Sequence, residues 1–251
     1  QGEKGLEMML TQSCIVGLLK RLRDFNEWSQ CLVLQVVSSY RPQSMDDLFE
    51  IMNFLDERLR HNNSAVVMAA VKVFLKLTTD VPEMHMQVLE RIKAPLVTHM
   101  TGGSPEVAYV ICKHVLVLAK RSPGVFEGEY SSFYVRYSDP QHVQRIKIKV
   151  LAQLADNMNY SAIVRELSAL VGPYDPDLSS LSIDAIGDIG VKLPDASPLV
   201  YYQLESFLKR GIEAVCAQSV IVSKDLMRKY PTQAGNILPS LAAVFDGVKD
   251  P

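Results

Sequence analysis

The sequence predicts an all-α protein: an α-solenoid of HEAT/armadillo-like helical pairs, wound as a right-handed superhelix with about six repeats. Three observations predict it. A nearly all-apolar run of helical length recurs, each time closed by a polar residue or two and a proline. An ordinary amphipathic segment separates successive runs. The runs are longer than typical strands and alternate poorly between apolar and polar residues.

The runs come in this order. WSQCLVLQVVSSYRP closes at Pro42, SAVVMAAVKVFLKLTTDVP at Pro82, and PEVAYVICKHVLVLAKRSP at Pro123. LSSLSIDAIGDIGVKLP closes at Pro194 and AVCAQSVIVSKDLMRKYP at Pro231. The steps are 40, 41, 71 and 37 residues, and the long one divides around VQRIKIKVLAQLADNMN, where Asn159 stands in the proline's place. Proline suits the position because it cannot continue the preceding helix.

The intervening segments are the first helices of each pair. Met45–Leu59 carries Leu48, Ile51, Met52, Leu55 and Leu59 on one stripe, with Ser44 as N-cap and Asp46 and Asp47 in the first turn. Segments 84–100, 162–170, 199–208 and 234–245 fill the same slot. SSFYVRYSD (131–139) is the one strand-like patch, and its place in the period makes it helix or turn. A helix as apolar as Val66–Leu77, with only Lys72 and Lys76 charged, must be covered by its partner and by neighbouring pairs. The whole chain, 1–251, therefore reads as a single solenoid segment.

Composition narrows the function. The 251 residues are 48% hydrophobic and 22% charged, as expected of a packed protein. Lys and Arg number 26 against 28 Asp and Glu, a net charge of −2, which disfavours a strongly basic nucleic-acid binder and an acidic tail. No apolar run approaches the roughly 18 residues of a membrane span. Gln1–Leu10 shows no signal-peptide pattern. The chain opens on Gln1 rather than Met, which predicts a piece of a longer protein, Gln1–Gly5 reading as residues added in cloning. Cys14, Cys31, Cys112 and Cys216 form no CxxC and predict buried thiols in a reducing compartment, the cytosol.

Motifs of chemistry are missing. There is no GxGxxG, GxxxxGK[ST] or GxSxG. The five histidines make no HExxH or HxxxH pair, and Met84-His85-Met86 at a helix start reads as core rather than a copper site. Asp175 and Asp177 around Pro176 read as capping residues, and Gly102–Gly103 as a turn. The basic clusters Lys20-Arg21-Arg23, Arg58-Arg60 and Lys120-Arg121 lie near helix ends and lack interleaved aromatics. Trp28, the only tryptophan, opens an apolar helix and is expected to pack. No catalytic residue, cofactor or metal site is predicted, and the chain reads as a non-enzyme.

One pattern points to partners. Ten residues before each terminator stand Lys72, Lys113, Lys149 and Asp184 in four consecutive pairs, with Leu32 and Ile221 in the flanking ones. Lys76 and Asp188 lie one turn on, and Arg145 one turn before Lys149. Any helix needs a solvated stripe, which lysine commonly fills. The alternative is a groove that docks an acidic or amphipathic partner, with Lys72, Lys76, Lys113, Arg145 and Lys149 as the contact residues.

The same residues carry a resemblance. RDFNEWSQCLVLQVVSSYRP (23–42) looks like the EWxQ-containing stretch of the β-type large chains, the β-adaptins, of heterotetrameric clathrin-adaptor-type complexes. NNSAVVMAAVKVFLKL (62–77), APLV (94–97), PEVAYV (105–110), FYVRYSDPQHVQRIKIKVLAQLADNMN (133–159), DAIGDIG (184–190) and SKDLMRKYP (223–231) follow collinearly. YRPQSMDDLFEIMNFLDERL (40–59) looks most like the β chain of the fourth adaptor complex, with those of the first and second complexes as alternatives. The resemblance implies the middle to C-terminal part of a helical trunk, without hinge, clathrin box or appendage. It implies a scaffold that holds a second large chain, a medium chain and a small chain in vesicle-mediated transport and cargo sorting. An Arf-type GTPase and cargo would be further partners. The expected location is cytoplasmic, peripheral on trans-Golgi network and endosomal membranes, with membrane attachment indirect because no lipid-anchor motif is visible.

Three rivals remain open. Another solenoid, a nuclear-transport receptor or phosphatase scaffold, is the first, although an armadillo-type peptide groove would want repeated Trp and Asn. The second is an enzyme on a helical scaffold, which requires an enclosed cavity with converging titratable groups. A nucleic-acid-binding solenoid is the third.

Overall fold

The computed structural model describes residues 11–245. The stretch Gln1–Leu10, read above for leader and cloning residues, lies outside them. Twelve α-helices and several short 3-10 turns are present among the described residues, with no strand. They group into two compact units, residues 1–103 and 104–251.

The first unit contains α1 (Gln12–Lys20), α2 (Glu27–Val37), α3 (Met45–Asp56), α4 (Ser64–Leu77) and α5 (Pro82–Gly102). Each of the first four starts where the sequence supplies an oxygen for an unpaired backbone N–H. Thr11 Oγ1 accepts from Cys14 N at 3.3 Å and Asn26 Oδ1 from Ser29 N at 2.9 Å. Ser44 Oγ accepts from Asp47 N at 3.1 Å, as predicted, and Asn63 Oδ1 from Ala65 N at 2.8 Å. The predicted stripe Leu48, Ile51, Met52, Leu55 and Leu59 is buried throughout. Helices α2 and α4 pack side by side, α1 packs on α3, and α5 covers α4.

The second unit contains α6 (Pro105–Arg121), α7 (Gln141–Leu154), α8 (Tyr160–Ala169), α9 (Pro176–Lys192), α10 (Ser197–Lys209), α11 (Glu213–Lys229) and α12 (Leu238–Phe245). The apolar runs α6, α7, α9 and α11 stack in that order as one layer. The amphipathic helices α8, α10 and α12 form a second layer against it. Each unit is thus an α-solenoid in which a helix touches its pair and its sequence neighbours, and burial between successive helices supplies the stability.

The closing prolines do more than stop a helix. Pro82 is itself the first residue of α5, and Pro194 and Pro231 open 3-10 turns. A φ fixed near −65° and a missing N–H suit a first helical position as well as a stop. Asn159 replaces proline by hydrogen bonding: its Nδ2 donates to Leu154 O at 3.1 Å and Glu127 O at 3.3 Å, and its Oδ1 accepts from Asp156 N at 2.8 Å.

The strand-like patch is a 3-10 turn, Glu127–Phe133, followed by irregular chain to Pro140. Lys147 of α7 reaches that chain. Its Nζ lies 2.6 Å from Asp139 Oδ2 and 3.3 Å from Tyr134 O, with the residue only 4% exposed. Between α9 and α11 the backbones come close. A Cβ on Gly187 would run into Val222, and one on Gly190 would crowd Leu226 and Val200 at 3.0–3.1 Å. Buried Ser219 and Ser223 of α11 donate to the carbonyls four residues back, at 2.7 and 2.6 Å, and need no partner across the seam.

Candidate partner-binding surface

All five predicted contact residues are exposed, as are Leu32, Asp184, Asp188 and Ile221 in the same register. In the first unit Lys72 and Lys76 share one face of α4 one turn apart. Among the described residues neither ammonium has a carboxylate within ion-pair reach.

In the second unit Lys113 is on α6 and Arg145 and Lys149 are on the adjacent α7. Two of these three are already engaged. Lys113 Nζ stands 5.6 Å from the centre of the Tyr109 ring, and that ring meets His142 of α7 edge-on at 5.6 Å. Arg145 Nη2 donates to Asp177 Oδ2 at 2.8 Å, joining α7 to the start of α9. Asp184 accepts from the Gln218 side-chain amide of α11. Partial burial against the neighbouring helices, with the Asp184 carboxylate one turn away, pushes the Asp188 carboxyl above its ordinary range. The row passes from basic on α6 and α7 to acidic on α9, as the sequence predicts, and bonds between side chains already balance part of it.

The surface feature missed from the sequence is Trp28. It does not pack: its side chain is 84% exposed, and Leu32, one turn on, is 64% exposed. The period held the signal, because Leu32 occupies the same register as Lys72 and Lys113, and Trp28 lies four residues before it. Trp28 borders a groove of about 480 Å³ between α2 and α4. Cys31, Leu34, Met68 and Ala69 form its apolar surface, and Lys72 stands on its wall. Glu27 and Asn63 sit at the other end, joined by a 2.6 Å hydrogen bond from Asn63 Nδ2. Burial and the Glu27 carboxylate push the Cys31 thiol up, so it stays protonated and is a poor nucleophile. Chemically the groove can hold an apolar side chain beside an anion.

The cysteine expectation holds for two of four. Cys112 and Cys216 are buried, whereas Cys14 is exposed and Cys31 half-buried. Thr11 caps α1 and leaves Cys14 on its outer face. Among the described residues no three His, Cys, Asp or Glu side chains gather as a metal would require, and no helix is long and apolar enough to cross a membrane.

The family model described as "Adaptin N terminal region" matches residues 5–251. The chain belongs to the adaptin family. Among similar proteins, beta-adaptin-like protein A of Arabidopsis thaliana is 40% identical over 225 residues, covering 90% of this adaptin chain and 27% of that protein. The AP-4 complex subunit beta of Dictyostelium discoideum is 34% identical, with 95% and 31% covered. The AP-1 complex subunit beta-1 of Homo sapiens is 28% identical, with 96% and 26% covered. The likeness read from the sequence, to β-type large chains, is therefore the right one. This adaptin segment spans between about a quarter and a third of the length of those relatives. A homology model of the full-length AP-3 complex in an intermediate open conformation shares the fold, with a TM-score of 0.71 at 15% identity over 97% of this chain and 45% of that one.

Proposed function

We propose that this adaptin segment is one continuous trunk piece of the β-type large subunit of a heterotetrameric adaptor complex. It acts as a non-enzymatic scaffold in vesicle-mediated intracellular protein transport and holds a second large chain, a medium chain and a small chain. The observation that carries this reading is the match of the adaptin model across residues 5–251, joined to relatives that are themselves named as adaptor-complex beta subunits. In the second unit, two layers of helices supply what a scaffold needs, a packed core with long exposed helix faces. Residues Lys72, Lys76, Lys113, Arg145 and Lys149 on those faces are the contact residues we assign to partners. An Arf-type GTPase and cargo are further partners, and the location is peripheral, on the cytoplasmic side of trans-Golgi and endosomal membranes.

The test is a pull-down of the full-length chain from cytosol, with bound proteins identified by mass spectrometry. Stoichiometric recovery of a second large, a medium and a small adaptor chain is expected. Recovery of nuclear-transport cargo or a phosphatase instead would overturn the reading.

A further inference from the structure

We infer that the groove between α2 and α4 is a docking site for an acidic amphipathic segment of a partner protein, apolar on one side and carrying carboxylates at the end that meets Lys72 and Lys76. The inference rests on the proposed partner role of those two lysines and adds the chemistry of what they receive.

Four observations carry it. Trp28, 84% exposed, stands at the rim of an apolar groove rather than in the core. A large aromatic left in water beside a concave apolar surface is the usual anchor of a protein interface. Cys31, Leu34, Met68 and Ala69 line it with apolar surface, and Gln35 adds one polar side chain on the α2 side. The charge at its ends is unequal. Glu27 is engaged by the Asn63 amide, whereas Lys72 on the groove wall and Lys76, one turn beyond it on α4, have no carboxylate in reach among the described residues. A partner with acidic residues at the lysine end therefore gains attraction there, and a basic one does not. Finally, the reach suits a short segment. Its α4 lining runs from Ala65 to Lys72, seven residues of helix or about 10 Å at 1.5 Å per residue, close to two helical turns.

Trp28 is the chain's only tryptophan, so its fluorescence reports this groove alone. The experiment titrates the chain with two synthetic fifteen-residue amphipathic peptides that share one leucine stripe and differ only in carrying glutamate or lysine elsewhere. The glutamate peptide is expected to shift Trp28 emission to the blue and saturate, with the lysine peptide weaker by roughly threefold to tenfold, as two exposed charge pairs allow. In the double variant Lys72→Glu/Lys76→Glu the preference reverses, a result that loss of folding cannot produce. In Trp28→Ala, anisotropy of the labelled glutamate peptide shows weakened binding. Equal binding of both peptides would overturn the inference. So would a blue shift without peptide that grows with chain concentration, which marks a second copy as the occupant, or one produced only by phosphatidylcholine vesicles. A pull-down that recovers no adaptor subunits while the peptide preference persists would sink the subunit assignment and leave the groove standing.

Discussion

Buried Lys147 and half-buried Asp139 form an ion pair, Nζ to Oδ2 at 2.6 Å, that fastens the irregular chain before α7 to the helix it leads into. Asp139 Oδ2 also accepts from Arg136 N at 2.8 Å, so one carboxylate closes the loop and holds the lysine. Removing it strands an ammonium where water is scarce. Asp139→Ala is expected to cost on the order of 3 kcal/mol. Adding Lys147→Met, which fills the space without a charge, should recover part of that loss. Urea unfolding of both variants decides it: a double variant no more stable than Asp139→Ala would mean that the pair is not the source of the penalty.

Gly187 gives a second, steric prediction. Alanine normally stabilises a helix over glycine by about 1 kcal/mol. Here its methyl would enter Val222, whose branched side chain has little freedom to move aside. Gly187→Ala should therefore destabilise, by about 1–3 kcal/mol. A thermal melt higher than that of the unaltered chain would show that α11 simply backs away.

The hydroxyl of Tyr40 donates to Asp47 Oδ2 at 2.6 Å, and Asp47 is 3% exposed. Burial first, and this bond second, push the Tyr40 phenol from 10.0 up to about 12. A folded-state pKa raised in this way contributes stability that is complete below pH 10 and is lost as pH rises through about 12. Tyr40→Phe should be less stable at pH 7, by about 1–3 kcal/mol, because the buried carboxylate loses a donor. Its stability should fall less steeply than that of the unaltered chain across that alkaline window. Parallel pH profiles for the two proteins would contradict this.

The cysteines should separate by reagent access. Cys14 is expected to react first with a thiol reagent, and Cys31 more slowly. Cys112, whose thiol burial pushes up to about 12, and the buried Cys216 should react only as fast as the second unit opens. Mass mapping of the modified peptides over time reads the order directly, and early modification of Cys112 would contradict the packing of α6.

Much of this fold was legible because one rule repeats. Apolar runs too long for strands, ended by Pro42, Pro82, Pro123, Pro194 and Pro231, mark the second helix of each pair, and Ser44 is the cap its position predicts. The exposed register was legible too, from Lys72 to Asp184. Trp28 was not, because residue type was weighed above position: tryptophan suggests core, while its place one turn before Leu32 says surface. The Lys147–Asp139 bond escaped for a different reason. Lysine in an apolar helix reads as the solvated stripe, and nothing within α7 reveals that a loop eight residues earlier supplies its counter-charge. The α9–α11 contact was invisible to hydropathy because glycine and serine carry almost no hydrophobic signal, yet they set how near two backbones come.

That last contact has a mechanical meaning. A gap filled by leucine or isoleucine can be retuned, since a change of rotamer moves the neighbouring helix by a fraction of an ångström. Where Gly187 faces Val222, no side chain on α9 can swing in or out. The joint is close there, with its spacing set by the α9 backbone against the Val222 side chain. Within this layer, the α9–α11 contact is therefore the one with least room to adjust at Gly187.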